Sequence, residues 1–228
     1  MGVKVSIAID GPAGAGKSTV AREVARKLKI TYIDTGAMYR GLTYAALEQS
    51  LPLEDGDQLR QLLDSIHLSL YWVEGMQHVS LNGIDISNQI RTLQVSKHVS
   101  SVAKHPSVRE RMVQLQQEMA QTQEVVMDGR DIGTHVLPQA QLKIFLTASI
   151  EERAKRRYNE LVDKGETADL EQIKKDIAAR DRMDSEREIA PLRPASDALM
   201  VDTTGMGINE VIDEIISLYQ CKVGGEGV

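Results

Sequence analysis

Cysteine is nearly missing from this chain of 228 residues: Cys221 stands alone. A lone thiol cannot close an internal disulfide, and no Cys/His spacing suggests a zinc site. The five histidines (His67, His78, His98, His105 and His135) are scattered, so each reads as an ordinary surface or core residue. No apolar stretch approaches the roughly 20 residues that span a bilayer, and the first residues lack a signal-peptide pattern. "MGVKVS" fits a myristoylation pattern through Gly2 and Ser6. However, Val3, Val5, Ile7 and Ile9 alternate as a strand that the core claims. Positive charge is also in deficit, with a net charge of −6, which argues against non-specific binding of a polynucleotide. The expectation is a cytoplasmic chain with no nucleic-acid and no membrane partner.

What is present suffices for one packed domain over 1–228, with a smaller subdomain attached. Segments 3–9, 30–34, 124–128, 142–147 and 198–202 are short and rich in strand formers, and helical stretches separate them. Segment 18–28 places Val20, Val24 and Leu28 on one helical face, and 37–49 reads as a second helix. Strands alternating with helices predict an α/β fold with a parallel sheet covered on both faces. Segment 66–87 breaks the rhythm. Its turn signals, Glu74-Gly75 and Asn82-Gly83, lie between alternating strands and predict a small antiparallel insert. The tail "GGEGV" (224–228) reads as disordered.

"GPAGAGKST" follows the first strand and opens the first helix. Gly11 through Ser18 fit the phosphate-binding pattern G-x-x-x-x-G-K-[ST] in full. At ordinary composition a chance match has odds of about one in a hundred, so an incidental glycine turn is the weaker reading. Gly11, Gly14 and Gly16 let backbone N–H groups close on phosphate oxygens, and the helix N-terminus adds its dipole. Pro12, Ala13, Ala15 and Thr19 complete the loop. Lys17 would reach the outer phosphates of a nucleoside triphosphate, and the Ser18 hydroxyl would ligand Mg²⁺. "VVMD" ends an apolar strand on Asp128, suited to bind that metal through water, although Asp commonly ends strands.

Such a cradle serves GTPases, motors, transporter subunits and small-molecule kinases alike. No Asn-Lys-x-Asp element for guanine is present, and the distinguishing feature is arginine. "ARDRMDSER" places Arg180, Asp184 and Arg187 at i, i+4 and i+7 of one helical face. Spacing alone slightly favours a solvated, salt-bridged surface there. "EERAKRR" stacks Arg153, Arg156 and Arg157 on one side, and an ordinary Glu152–Arg156 pair explains them about as well. "DGRDIG" (128–133) and "DTGAMYR" (34–40) differ, because they follow strand ends, where open α/β sheets bind ligands. Arg130 and Arg40 could grip a phosphate there with two hydrogen bonds each. Five or more arginines facing one cleft would repel each other unless anions filled it.

In order and spacing, "GPAGAGKST", "DTGAMYR", "NGIDIS", "IRT", "VR", "DGRDIG", "EERAKRR" and "RDRMDSEREIAPL" resemble the bacterial cytidylate kinase family, across essentially the whole chain. That resemblance implies a P-loop NTPase fold: a five-stranded parallel sheet, an antiparallel insert in a monophosphate-binding subdomain at about 35–105, and a short lid at about 152–168. It implies ATP as phosphoryl donor with Mg²⁺, and CMP or dCMP as acceptor. Arg40, Arg130 and Arg187 would hold the acceptor phosphate, with Thr35 and Tyr39 among the substrate contacts. Ser100, Arg109 and Asp131 would read the cytosine edge; Ser100 rests on counting back from "HPSVR", since Ser101 adjoins it. Arg180 and Asp184 would contact the ribose. Arg153, Arg156 and Arg157 would lie in the lid over ATP, with Arg153 and Arg157 near the transferred group. Thr35 departs from members that carry Ser, but both supply a hydroxyl.

A monophosphate acceptor is already ionised at neutral pH, so no base is needed, and no His or Ser/His/Asp set appears in the sequence. Lys17, Arg130, Arg187 and Mg²⁺ would instead offset the repulsion of two anions. The lid and the insert are expected to move inward over bound substrates. A kinase for UMP or a metabolite hydroxyl, and a nucleotide-dependent switch, are the competing readings. A monomer is expected.

Overall fold

The computed structural model describes residues 4–223. Val3, the myristoylation pattern's Gly2 and the tail expected to be disordered (224–228) lie outside them. In chain order the elements are β1 (Ser6–Asp10), α1 (Lys17–Leu28), β2 (Thr31–Asp34), α2 (Thr35–Glu48) and α3 (Gly56–Ser65). Next come β3 (Leu68–Val73), β4 (Met76–Leu81), β5 (Ile84–Asp85), a 3₁₀ turn (Gln89–Arg91), α4 (Leu93–Ala103) and α5 (Pro106–Thr122). The chain continues through β6 (Val125–Gly129), a π turn (Ile132–Val136), β7 (Leu142–Thr147), α6 (Ile150–Asp163), α7 (Leu170–Glu186), β8 (Leu199–Asp202) and α8 (Ile208–Val223). It divides into two compact units, 33–121 and the remainder.

The larger unit is built on the five-stranded sheet, ordered β2-β6-β1-β7-β8. Strand β1 is central and parallel to both β6 and β7, and β7 is parallel to β8. Strand β1 is buried on both sides, as a parallel strand must be. Its period of two sends Ile7 and Ile9 into a cluster with Val20 and Val24 of α1 and Val211, Ile212 and Ile215 of α8. Ala8 and Asp10 therefore face the other side. In β6 the same alternation puts Val126, and hence Asp128, on the α1 side. Helix α1 stops because Lys29 turns left-handed (φ 58°), its N–H returning to the carbonyls of Ala25 and Arg26.

In the smaller unit, α2, α3, α4 and α5 bury Leu42, Leu59, Leu63, Val99, Val102, Val108 and Met112 together. The predicted insert is present as the antiparallel sheet β3-β4-β5. Its hairpins turn at Glu74-Gly75 (φ 50° and 78°) and Asn82-Gly83 (φ 52° and 85°). Paired positive φ values are what a two-residue hairpin requires.

Candidate active site

The phosphate loop leaves β1 and runs into α1. Gly11 has φ 149°, and a Cβ there would stand 1.9 Å from the Leu146 carbonyl oxygen, so only glycine fits. Lys17 opens α1, is 5% exposed, and donates from Nζ to the Pro12 carbonyl at 2.7 Å. Burial first, and the nearby Arg130 charge second, push its ammonium down to about 7, against the pull of Asp128. A lysine so poised gains from any anion that enters the loop.

Ser18 Oγ donates to Asp128 Oδ2 at 2.9 Å, and the Tyr32 hydroxyl donates to Asp128 Oδ1 at 2.7 Å. The two expected metal contacts are thus adjacent. Among the described residues no cluster of three or more His, Cys, Asp or Glu could hold a metal by itself. One hydroxyl and one carboxylate fit Mg²⁺, which keeps waters and takes phosphate oxygens as its other ligands.

Beside this cluster lie four more of the expected residues, paired two by two. Arg130 Nε meets Asp184 Oδ2 at 2.8 Å, and Arg187 meets Asp131 Oδ1 at 3.4 Å. Burial alone would raise the Asp184 carboxyl, but Arg130, Arg180 and Arg187 outweigh it and hold the acid below its usual range. Burial likewise opposes the Arg130 charge, and Asp184 outweighs it. The expected mutual repulsion of the arginines therefore needs correcting, because the chain supplies carboxylates of its own. Arg187 also leaves the face expected of it: α7 ends at Glu186, and Arg187 is extended (φ −64°, ψ 142°), with Nε donating to the Ala190 carbonyl at 2.6 Å.

The three arginines of α6 point to different partners rather than forming one stack. Buried Arg153 donates to the carbonyls of Ala148 and Ala13 (2.9 and 3.0 Å) and pairs with Asp181 at 2.7 Å, tying α6 to the phosphate loop and α7. Arg156 bonds Glu152 and the hydroxyl and carbonyl of Thr203, beyond β8. Arg157 pairs with Glu160 at 3.0 Å on the surface. Positions i, i+3 and i+4 of a helix span about 100° of its circumference, which separates these ends.

In the smaller unit, Arg40 donates to Ser96 Oγ at 2.8 Å and reaches the Ile90 carbonyl at 3.5 Å. Arg109 is 2% exposed, donates to the Ala103 carbonyl at 3.2 Å and lies 5.7 Å from the centre of the Tyr39 ring. Ser100 on α4 and Thr35, the first residue of α2, are also buried.

Two carboxylates escaped the sequence reading. Asp181, the Arg153 partner, sits inside "RDRMD" beside residues that were singled out. Asp10 ends β1 directly before the loop. It is 3% exposed, and burial pushes it up to about 6 although the amides of Gly133 and Ile132 favour its charge. The signal for Asp10 was a charged residue at a core-facing strand position.

Comparison with known proteins agrees with the motifs. A cytidylate kinase from Bacillus cereus strain ATCC 10987 is 56% identical over 96% of this chain and 97% of its own length. A Bacillus thuringiensis cytidylate kinase matches to the same extent. Among solved structures, an uncharacterized protein from Eubacterium ventriosum superposes with a TM-score of 0.55 at 12% identity, covering 96% of this chain and 99% of that one, a likeness of fold alone. The family profile described as Cytidylate kinase matches residues 7–221, and the chain belongs to the cytidylate kinase family.

Proposed function

We propose that the chain transfers the γ-phosphoryl group of ATP to CMP or dCMP, giving ADP and CDP or dCDP. The observation that carries the proposal is the meeting, within one compact unit, of the Lys17–Ser18–Asp128 cluster and the Arg130–Asp184 and Arg187–Asp131 pairs. The relatives named above are cytidylate kinases, which favours CMP over the alternatives of UMP and a metabolite hydroxyl.

The chemistry needs little from the protein beyond position and charge. An oxygen of the acceptor monophosphate forms the new bond to the γ-phosphorus, the bridging bond to the β-phosphate breaks, and its electron pair leaves on ADP. No proton has to move, since both nucleotides are ionised. The loop amides and Lys17 hold the donor phosphates, and Lys17 stabilises charge on the transferring group. Ser18 and Asp128 would hold Mg²⁺, which when bound neutralises the phosphate oxygens. Arg130, Arg187 and Arg40 take the acceptor phosphate, the first two exchanging Asp184 and Asp131 for it. Ser100, Arg109 and Asp131 read the cytosine edge, while Arg180 and Asp184 take the ribose. Thr35 and Tyr39 add contacts to the acceptor, and Arg153, Arg156 and Arg157 act from a lid at about 152–168. The region at about 35–105 is the acceptor-binding subdomain.

ADP release measured across a panel of nucleoside monophosphates tests the reading. CMP and dCMP should turn over far faster than UMP, AMP or GMP. Equal, slow hydrolysis with every acceptor would instead mark a nucleotide switch. No helix among the described residues is long and apolar enough to cross a membrane.

A further inference from the structure

Asp10 is a buried acid that the mechanism above leaves unused. Its Oδ1 accepts from the Ile132 N–H at 2.8 Å, and its Oδ2 from the Gly133 N–H at 2.7 Å. These amides open the π turn, immediately after Arg130 and Asp131. On its other side, Asp10 is bonded directly to Gly11 of the phosphate loop. One carboxylate thus joins the loop that would hold the donor to the turn that would grip the acceptor.

The match is specific. Two successive N–H groups converge on two acceptor oxygens, which an ionised carboxyl offers and an amide does not, because the NH₂ of Asn would face a donor. The turn comes close because residue 133 is glycine: a Cβ there would lie 3.3 Å from Asp10 Oδ2 and 3.2 Å from Lys143 Cδ. The side chain of Asp10 lies on the sheet face opposite α1, so filling the α1 core does not require it. Hydrophobic packing would serve that position more cheaply than a buried charge.

We propose that Asp10 is a positioning residue that sets the Arg130–Asp131 turn relative to the phosphate loop, so that acceptor and donor phosphates meet in line. The inference rests on the phosphotransfer reading above. Asp10 would act through Ile132 and Gly133 on the residues before them, and its charge also bears on Asp131 and Lys17. A misplacement of about 1 Å can lower turnover about 100-fold while binding at an intact site persists.

The test uses the full chain and the variants Asp10→Asn, Gly133→Ala and both together. Each single change should lower kcat/KM for CMP about 10- to 100-fold and leave the Kd for ATP within about threefold. The double variant should be no worse than the poorer single one, because both break the same contact. Gln141→Ala, which removes bonds to Ser6 at the opposite end of β1, should leave the CMP parameters near those of the parent even where it lowers the melting temperature. Folded single variants with parental kcat/KM would overturn the proposal, as would equal losses for ATP and CMP, or additive losses. If Asp10→Asn does not fold, Gly133→Ala carries the same comparison. Hydrogen exchange provides a reading that does not depend on activity: the Ile132 and Gly133 amides should exchange faster in Asp10→Asn, and unchanged exchange overturns the proposal. A parent chain inactive on CMP but with those amides released in the variant would sink the functional reading and leave the anchoring intact.

Discussion

Lys17 should take up a proton when ATP binds. Its ammonium is pushed down to about 7 by burial and by the Arg130 charge. At pH 8 a group with that pKa is only about one-tenth charged. ATP brings several negative charges to the loop, and a restoring shift of about two units or more would leave the lysine about nine-tenths charged. The difference is about 0.8 of a proton per ATP, taken from the buffer. At pH 8 the phosphates of ATP are fully ionised and do not obscure the change. Calorimetric titrations in buffers of different ionisation enthalpy measure it, because the observed heat varies with that enthalpy in proportion to the protons exchanged. The parent chain should give a slope near 0.8 in the direction of uptake, and Lys17→Met a slope near zero. A parental slope near zero, or an unchanged slope in Lys17→Met, would refute the placement of this lysine among desolvating, like-charged neighbours.

Lys17→Met should also cost about 3 kcal/mol in the transition state, a fall of about 10²-fold or more in kcat in the ADP-release assay. Asp10 makes stability depend on pH with a definite sign. Its folded pKa of about 6 exceeds the ordinary aspartate value of 3.8, so the folded state holds the extra proton between them and stability falls as pH rises through that window. Urea unfolding at pH 4 and pH 7 should therefore show the Asp10→Asn variant gaining on the parent by up to about 3 kcal/mol at the higher pH. Gly11→Ala should lose ATP binding in a fluorescence titration and lose about 2 kcal/mol or more of stability, since the added methyl meets the backbone at Leu146. Ser18→Ala should raise the Mg²⁺ concentration needed for half-maximal activity by about tenfold, while KM for CMP stays within about twofold.

Much of the larger unit was legible because its signals are contiguous. The loop pattern, the apolar strand before it and the helix after it share 23 consecutive residues, 6–28, and the structure returns each of them. The insert was equally plain, since a glycine at the second position of Glu74-Gly75 and Asn82-Gly83 tolerates the positive φ of a tight hairpin, which both pairs adopt. What sequence spacing could not give was the pairing of charges. Arg130 finds Asp184 across 54 residues, and Arg187 finds Asp131 across 56. Helical periodicity placed Arg187 on a helix that ends one residue earlier, because its backbone turns extended to reach the Ala190 carbonyl. Asp10 was passed over because a strand-end acid beside a glycine loop looks like punctuation, and only the fold brings the π turn to it.

At the centre of the account stands one physical claim: guanidinium groups make it possible for two anionic phosphates to meet. The Arg40→Met chain should be titrated with CMP and with cytidine, which differ only in the phosphate. The variant should lose about 10- to 100-fold in affinity for CMP, the worth of a charge-assisted hydrogen bond or two, with cytidine bound as in the parent. Equal loss for both ligands, or none for either, would contradict the claim.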